Sequence, residues 1–175
     1  MSGHNKWSQI KQKKAKTDGA KSKLYSKYSK LISAEAQRVK GDKNAPSVRA
    51  LIERAKSENV TNEVIERAIK KASEPGAALE SITYEAYGPG GCAIIIEALT
   101  TNKNKAAQEV KHILSENGYS LAAPGSASWA FKREGVEWKP TTTTELEDAD
   151  LALLEKLVGD LEANDEVQDV FTNVE

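Results

Sequence analysis

Nine lysines fall between Lys6 and Lys30, at positions 6, 11, 13, 14, 16, 21, 23, 27 and 30, with one acid, Asp18, among them. Closely spaced ammonium groups of this kind attract a phosphate backbone through counterion release, with little regard to base sequence. His4 lies in the same stretch and can add a phosphate contact. Trp7 belongs to no clear apolar stripe and offers a ring for stacking on an exposed base. Tyr25 and Tyr28 fall on an apolar stripe and are assigned to the core. Lysine is a point charge, whereas bidentate base reading draws on Arg, Asn or Gln. Only Asn5, Gln9 and Gln12 supply amides here. The expected mode is therefore backbone- or shape-directed binding. Neutralising about five or six phosphates would give a slope of log K against log salt near −4 to −5 on duplex.

A second candidate surface is Tyr87-Gly88-Pro89-Gly90-Gly91, with Asn102-Lys103-Asn104 further on. The run from Gly88 to Ala93 mimics a Gly-x-Gly-x-x-Ala dinucleotide fingerprint. That fingerprint must open a helix, and here a β-branched run, Ile94-Ile95-Ile96, follows. A hairpin turn is the favoured reading of the glycines, close backbone approach to RNA or a ribosomal surface the lesser one, and helix capping explains Asn102 or Asn104 equally well. Cys92, between glycine and an apolar strand, reads as a small buried hydrophobe. His112 reads as a surface or half-buried histidine with Glu116 one turn on. The acids at 145, 147, 148, 150 and 155 read as charges complementing a helix start. No constellation of nucleophile, base and acid is visible, and one cysteine with two histidines leaves too few soft ligands for zinc. No enzyme activity, cofactor, metal or small-molecule substrate is expected.

These residues need elements to hold them. Residues 1–19 read as a basic arm or short helix ending at Asp18-Gly19. Leu24, Tyr25, Tyr28, Leu31, Ile32, Ala36 and Val39 define a helix over 20–40, with Lys23, Lys27 and Lys30 on the opposite side. A second helix runs from Pro46 to Glu58. A third starts at a Thr61 cap, with Val60 stapled to Ile65, and stops at Glu74-Pro75-Gly76. After Gly76 the pattern turns to strands: Ile82–Tyr87; Cys92–Leu99, apolar on both faces and so central; Ser126–Phe131; Val136–Trp138; Thr141–Leu146; and Val167–Val174. Helices run from Asn102 or Asn104 to Gly118 and from Asp148 or Asp150 through Leu161. The fold class is α+β: an N-terminal three-helix bundle with a basic arm over 1–76, then an α/β sandwich (ββαβ + βαβ) over 77–175 with helices on one face.

Charge divides along the same line. The chain has 175 residues and a net charge of −1. Residues 1–73 hold 18 Lys and Arg against 7 Asp and Glu, a net of +11; residues 74–175 hold 7 against 19, a net of −12. Such asymmetry points to a polyanion partner for the basic half. The longest apolar run, Cys92–Ile96, is far too short for a bilayer, so no membrane partner is expected. The basic start lacks the apolar segment of a secretory signal and the arginines of a mitochondrial presequence. With one cysteine, the expected location is the cytoplasm.

Several segments resemble the YebC family: Gly3-His4-Asn5-Lys6-Trp7 with Ile10-Lys11 and Lys13-Lys14-Ala15; Ile65-Glu66-Arg67-Ala68-Ile69-Lys70-Lys71; Tyr84-Glu85-Ala86-Tyr87-Gly88-Pro89-Gly90-Gly91; Glu109-Val110-Lys111-His112; and Val167-Gln168-Asp169-Val170. The family is labelled a transcriptional regulator in bacteria. Its mitochondrial relatives are translational activators of cytochrome oxidase synthesis, and some bacterial members are linked to relief of ribosome stalling at proline runs. The resemblance implies a cytoplasmic, non-enzymatic nucleic-acid binder, with DNA and ribosomal RNA, or the ribosome itself, both open as partners. Typical members carry a further α+β domain after the strand matching Ser126–Trp138. Here Trp138-Lys139-Pro140 runs straight into Thr141, so that domain is expected to be absent. The alternative is a protein-interaction module. Residues 140–175, with 1 basic and 11 acidic residues, would then engage a basic partner or clamp the basic arm of the same or another copy.

Overall fold

A computed structural model describes residues 6–14, 18–76 and 78–175. His4, Lys16 and the Gly3 and Asn5 of the first motif lie outside them. The chain divides into two compact units, one of Ala15–Glu80 and one of Met1–Lys14 with Ser81–Glu175.

The first unit contains α2 (Asp18–Arg38), α3 (Pro46–Ser57) and α4 (Asn62–Ala72). Asp18-Gly19 opens α2 rather than ending the arm. The turns are built by caps. Lys40 takes φ 57° at the end of α2, and the Gly41 N–H donates to Ala36 O at 2.7 Å. Asn59 takes φ 65° after α3, and the Val60 N–H donates to Ala55 O at 3.0 Å. Both are Schellman closures that satisfy otherwise orphaned carbonyls. Pro46 occupies the first turn of α3. Thr61 caps α4 by accepting the Val64 N–H, and Val60 and Ile65 are both buried, as a hydrophobic staple requires. Tyr28, Ile32, Ala55, Val60, Ile65 and Ala68 form the core. A buried Ser33 hydroxyl donates to Ala68 O at 2.8 Å and ties α2 to α4.

The second unit is a four-stranded sheet in the order β3-β1-β2-β6, with β1 at Glu80–Tyr87, β2 at Ala93–Thr100, β3 at Leu121–Ala122 and β6 at Val167–Thr172. Every residue of β2 is buried, and β2 is internal to the sheet, paired antiparallel to β6 with Ile95 opposite Phe171. On one face Cys92, Ile94 and Ile96 pack with Val110 and Leu114 of α5 (Lys103–Glu116) and with Leu151, Leu154, Leu157, Val158 and Leu161 of α6 (Asp148–Glu162). On the other face Ala93 and Ile95 pack with Ala127, Ala130 and Phe131. There a separate hairpin, β4 (Phe131–Glu134) and β5 (Glu137–Pro140), turns at Gly135 with φ 63°.

Three expectations are corrected. Residues 128–130 form a 3-10 turn ahead of β4, so no strand covers Ser126–Phe131 as a whole. Residues 141–146 make a single bridge, Thr144 to Val174, rather than a strand. The two-residue β3 was not anticipated, because a strand this short has no readable alternation.

The arm takes the short-helix form, α1 (Lys6–Lys14), and packs with the sheet unit. Trp7 is the reason. It is only 7% exposed, packed in the core that holds α6, with Ile10 one turn on beside it. An indole carries one of the largest apolar surfaces of any side chain, and burying it anchors a helix that has little else apolar.

Candidate nucleic-acid interface

The lysine row is split between the two units. On α1 the lysines lean on the chain's own carboxylates. Lys6 Nζ donates to Asp148 at 2.9 Å, and Lys14 Nζ lies 3.7 Å from Glu155. The Asp148 bond and the charge behind it hold the Lys6 ammonium above its ordinary pKa. Lys11 Nζ donates to Val170 O at 3.4 Å and sits 5.8 Å from the Trp7 ring centre. Lys13 is exposed and, with Lys6, Gln9 and Ile10, faces Asp148 and Glu155 across a shallow groove of about 300 Å³. The α1–α6 surface is therefore charge-matched within the molecule.

On α2, Lys21 is exposed, and Lys23, Lys27 and Lys30 are half-buried. At about 100° per residue, Lys23, Lys27 and Lys30 fall opposite the side that carries Tyr28 and Ile32 into the core. Tyr28 is buried and Tyr25 packs against the same core. Trp7 is buried too, so it presents no open ring face to a base; this reverses the expectation for that residue.

The second candidate surface does not form one surface. Gly88–Gly91 precedes β2 and Asn102–Asn104 follows it. The seven steps of an extended strand put about 23 Å between them. Asn102 caps α5, accepting the Lys105 N–H at 3.1 Å, and Lys103 and Asn104 are exposed in its first turn. The glycines are fixed by packing. A Cβ on Gly88 would lie 2.6 Å from Ile94 Cδ1; one on Gly90, at φ 66°, would lie 2.5 Å from Leu146 Cδ2. Pro89 is buried. The loop is a tight connection seated beside the start of α6: Gly90 answers to that seat, Gly88 to Ile94, and Gly91, with open space about it, to its φ of 76°.

Tyr87 is different. Its ring is 37% exposed, and its hydroxyl donates to Ser126 O while accepting the Trp129 indole N–H at 3.0 Å. Trp129 is 59% exposed, the most open large hydrophobic side chain among the described residues. The segment under it is pinned by Glu85, whose buried carboxylate accepts the N–H groups of Gly125 (2.6 Å), Ala127 (3.0 Å) and Ser128 (2.6 Å). Burial alone would raise the Glu85 pKa; the three backbone donors outweigh it and hold the carboxyl below its ordinary value. A second buried carboxylate, Glu97 of β2, accepts from Thr83 and from the Trp138 indole, both at 2.7 Å, with Arg133 at 3.6 Å.

The remaining candidates are structural. Cys92 is fully buried, and burial pushes its thiol up to about 11. His112 is exposed and meets Glu116 at 3.1 Å. No helix among the described residues is long and apolar enough to cross a membrane.

These features define an α+β protein with a lysine-bearing three-helix unit and a sheet unit that retains the N-terminal helix. The chain belongs to the TACO1/YebC family: the model of the TACO1/YebC protein N-terminal domain matches residues 5–75, and that of the second and third domain matches residues 79–137 and 134–174. Relatives named "Probable transcriptional regulatory protein" include one from Fervidobacterium nodosum, 42% identical over 95% of this chain and 68% of its own length. Another, from Thermoanaerobacter pseudethanolicus, is 49% identical over 78% of this chain and 56% of its own length. A third, from Halothermothrix orenii, is 39% identical over 99% of this chain and 70% of its own length. The chain thus spans between about half and about two thirds of the length of these relatives. The crystal structure of a conserved hypothetical protein from Aquifex aeolicus, Aq1575, superposes with a TM-score of 0.78 at 27% identity, covering 92% of this chain and 93% of that one.

Proposed function

We propose that this protein is a nucleic-acid-binding regulator of gene expression acting in the cytoplasm, and that it grips the phosphate backbone with lysines of α2. The observation that carries this reading is the row Lys23, Lys27 and Lys30, set opposite the core-facing side of α2. It stands in a unit whose residues 15–80 hold 14 basic against 9 acidic side chains. Names given to the relatives point the same way. Lysine charges without a bidentate reader suit duplex DNA and structured ribosomal RNA alike. Competition between the two at physiological salt decides the polymer. A preference beyond about tenfold assigns it; equal affinity rejects any specific role on either.

A second reading draws on α6. Its acids Asp148 and Glu155 engage lysines of the same chain, as a module that clamps its own basic arm would. In that case Lys23→Gln/Lys27→Gln/Lys30→Gln leaves every partner bound, whereas the backbone reader loses nucleic acid. The second-and-third-domain model matches in two segments that meet at residues 134–137, which supports the absence of an inserted domain and sets the junction a few residues before the expected 138–141.

A further inference from the structure

We infer that Trp129 and Tyr87 form a stacking platform for an unpaired base of single-stranded nucleic acid, a second contact of the function proposed above and resting on it. Large exposed aromatics are usually mobile, but this pair is built. The indole N–H is spent on Tyr87 Oη, and the Tyr87 hydroxyl is spent on Ser126 O. The backbone carrying Trp129 is nailed down by three N–H bonds to the buried Glu85. Both donors are already engaged within the protein, so what the pair offers a ligand is chiefly aromatic surface. A π-face without donors selects flat rings of any identity, which is the chemistry of sequence-tolerant base stacking.

Charge three residues along the chain from Trp129 fits the same ligand. Lys132 is exposed and stands directly opposite Lys139 across the β4–β5 hairpin. Lys139 is taken by Glu134 at 2.9 Å, and Lys132 has no ion-pair partner among the described residues. The Lys132 ammonium offers a point charge for a backbone phosphate. Duplex DNA keeps its bases stacked inside, so only a single strand or an RNA loop can use the rings.

The test uses the whole chain and follows the fluorescence anisotropy of an end-labelled twelve-nucleotide oligouridine, or of a matched labelled DNA duplex, as protein is titrated in. In the parent, the single strand should also quench tryptophan emission. Trp129→Ala should weaken single-strand binding about tenfold, leaving duplex affinity and the salt slope unchanged. Trp129→Phe should recover part of the loss. Tyr87→Phe, which keeps the ring but cuts the tether, should fall between. Trp129 is exposed, so an unchanged thermal midpoint verifies folding. Single-strand binding by Trp129→Ala equal to the parent overturns the platform, as does tryptophan emission per molecule that depends on protein concentration and not on the oligonucleotide, which marks self-association. If only Lys23→Gln/Lys27→Gln/Lys30→Gln loses binding, the platform falls and the backbone reading stands. If the parent binds neither polymer, both fall.

Discussion

Glu85 shows how one buried carboxylate organises a surface. Its three backbone donors lower its pKa in the folded state, so its contribution is fully present above the unfolded value of about 4.3. That contribution is lost as pH falls through the lower folded value. Glu85→Gln should destabilise the protein at neutral pH by about 1–3 kcal/mol. In denaturant titrations the gap between parent and variant should close in acid; a gap that persists below the folded pKa contradicts the assignment. Cys92 gives a second residue-scale prediction. A buried thiol raised to about 11 is scarcely ionised at neutral pH, and the thiolate is the reactive form. Labelling by a disulfide reagent should therefore proceed only as fast as the protein opens, and rapid labelling under native conditions would place the thiol elsewhere. The tryptophans mark what a sequence reveals at this scale. Trp7 has only Ile10 for apolar company nearby, so nothing local shows that the sheet unit buries it. Trp129, read as part of a strand over Ser126–Phe131, would share a face with Ala127 and Phe131, both buried. The 3-10 turn at Ser128–Ala130 breaks that alternation and leaves the indole outside.

At the scale of elements, the helices and the long strands were legible because each carries a strong period or a cap. The α3 proline, the Thr61 cap, the Val60–Ile65 staple and the all-buried β2 lie where local chemistry puts them. Legibility failed where an element depends on distant partners. β3 exists because Glu85 and Ala86 pair with Ala122 and Leu121. Thr141–Thr144, rich in strand-forming residues, has only the bridge to Val174. α1 is the clearest case, since its own sequence offers almost no apolar face and its docking rests on Trp7. Trp7→Ala should free α1 at a cost of about 3 kcal/mol, equivalent to roughly hundredfold faster amide exchange in that helix. Exchange confined to α1, with α2–α4 unaffected, is the expected pattern. Unchanged protection of α1 would show that the indole is not its anchor.

Taken over the whole molecule, the charge division is smaller in space than along the chain. The sequence boundary gives +11 and −12. The two compact units give +5 for residues 15–80, from 14 basic and 9 acidic residues, and −6 for the rest, from 11 and 17. Residues 1–14 bring four lysines to the acidic unit, where Lys6 and Lys14 meet Asp148 and Glu155. Two consequences follow for binding. Neutralising that clamp with Asp148→Asn/Glu155→Gln removes carboxylates that compete with phosphate, so affinity for nucleic acid should rise and its salt dependence steepen; weaker binding would mean that the acids support the interface. Deleting residues 1–30 would strip Trp7 from one core and Tyr28 from the other, so point substitutions are the sound probe. With the α2 lysines as the backbone readers, about four phosphates are neutralised, and the expected slope of log K against log salt on duplex is about −3 to −4. The most direct measurement is that slope, for the parent chain and for Lys23→Gln/Lys27→Gln/Lys30→Gln. A parent slope in this range, flattened by about 3 in the variant, is what lysine-based backbone reading predicts. A parent slope near zero, or a variant that matches its parent, would contradict it.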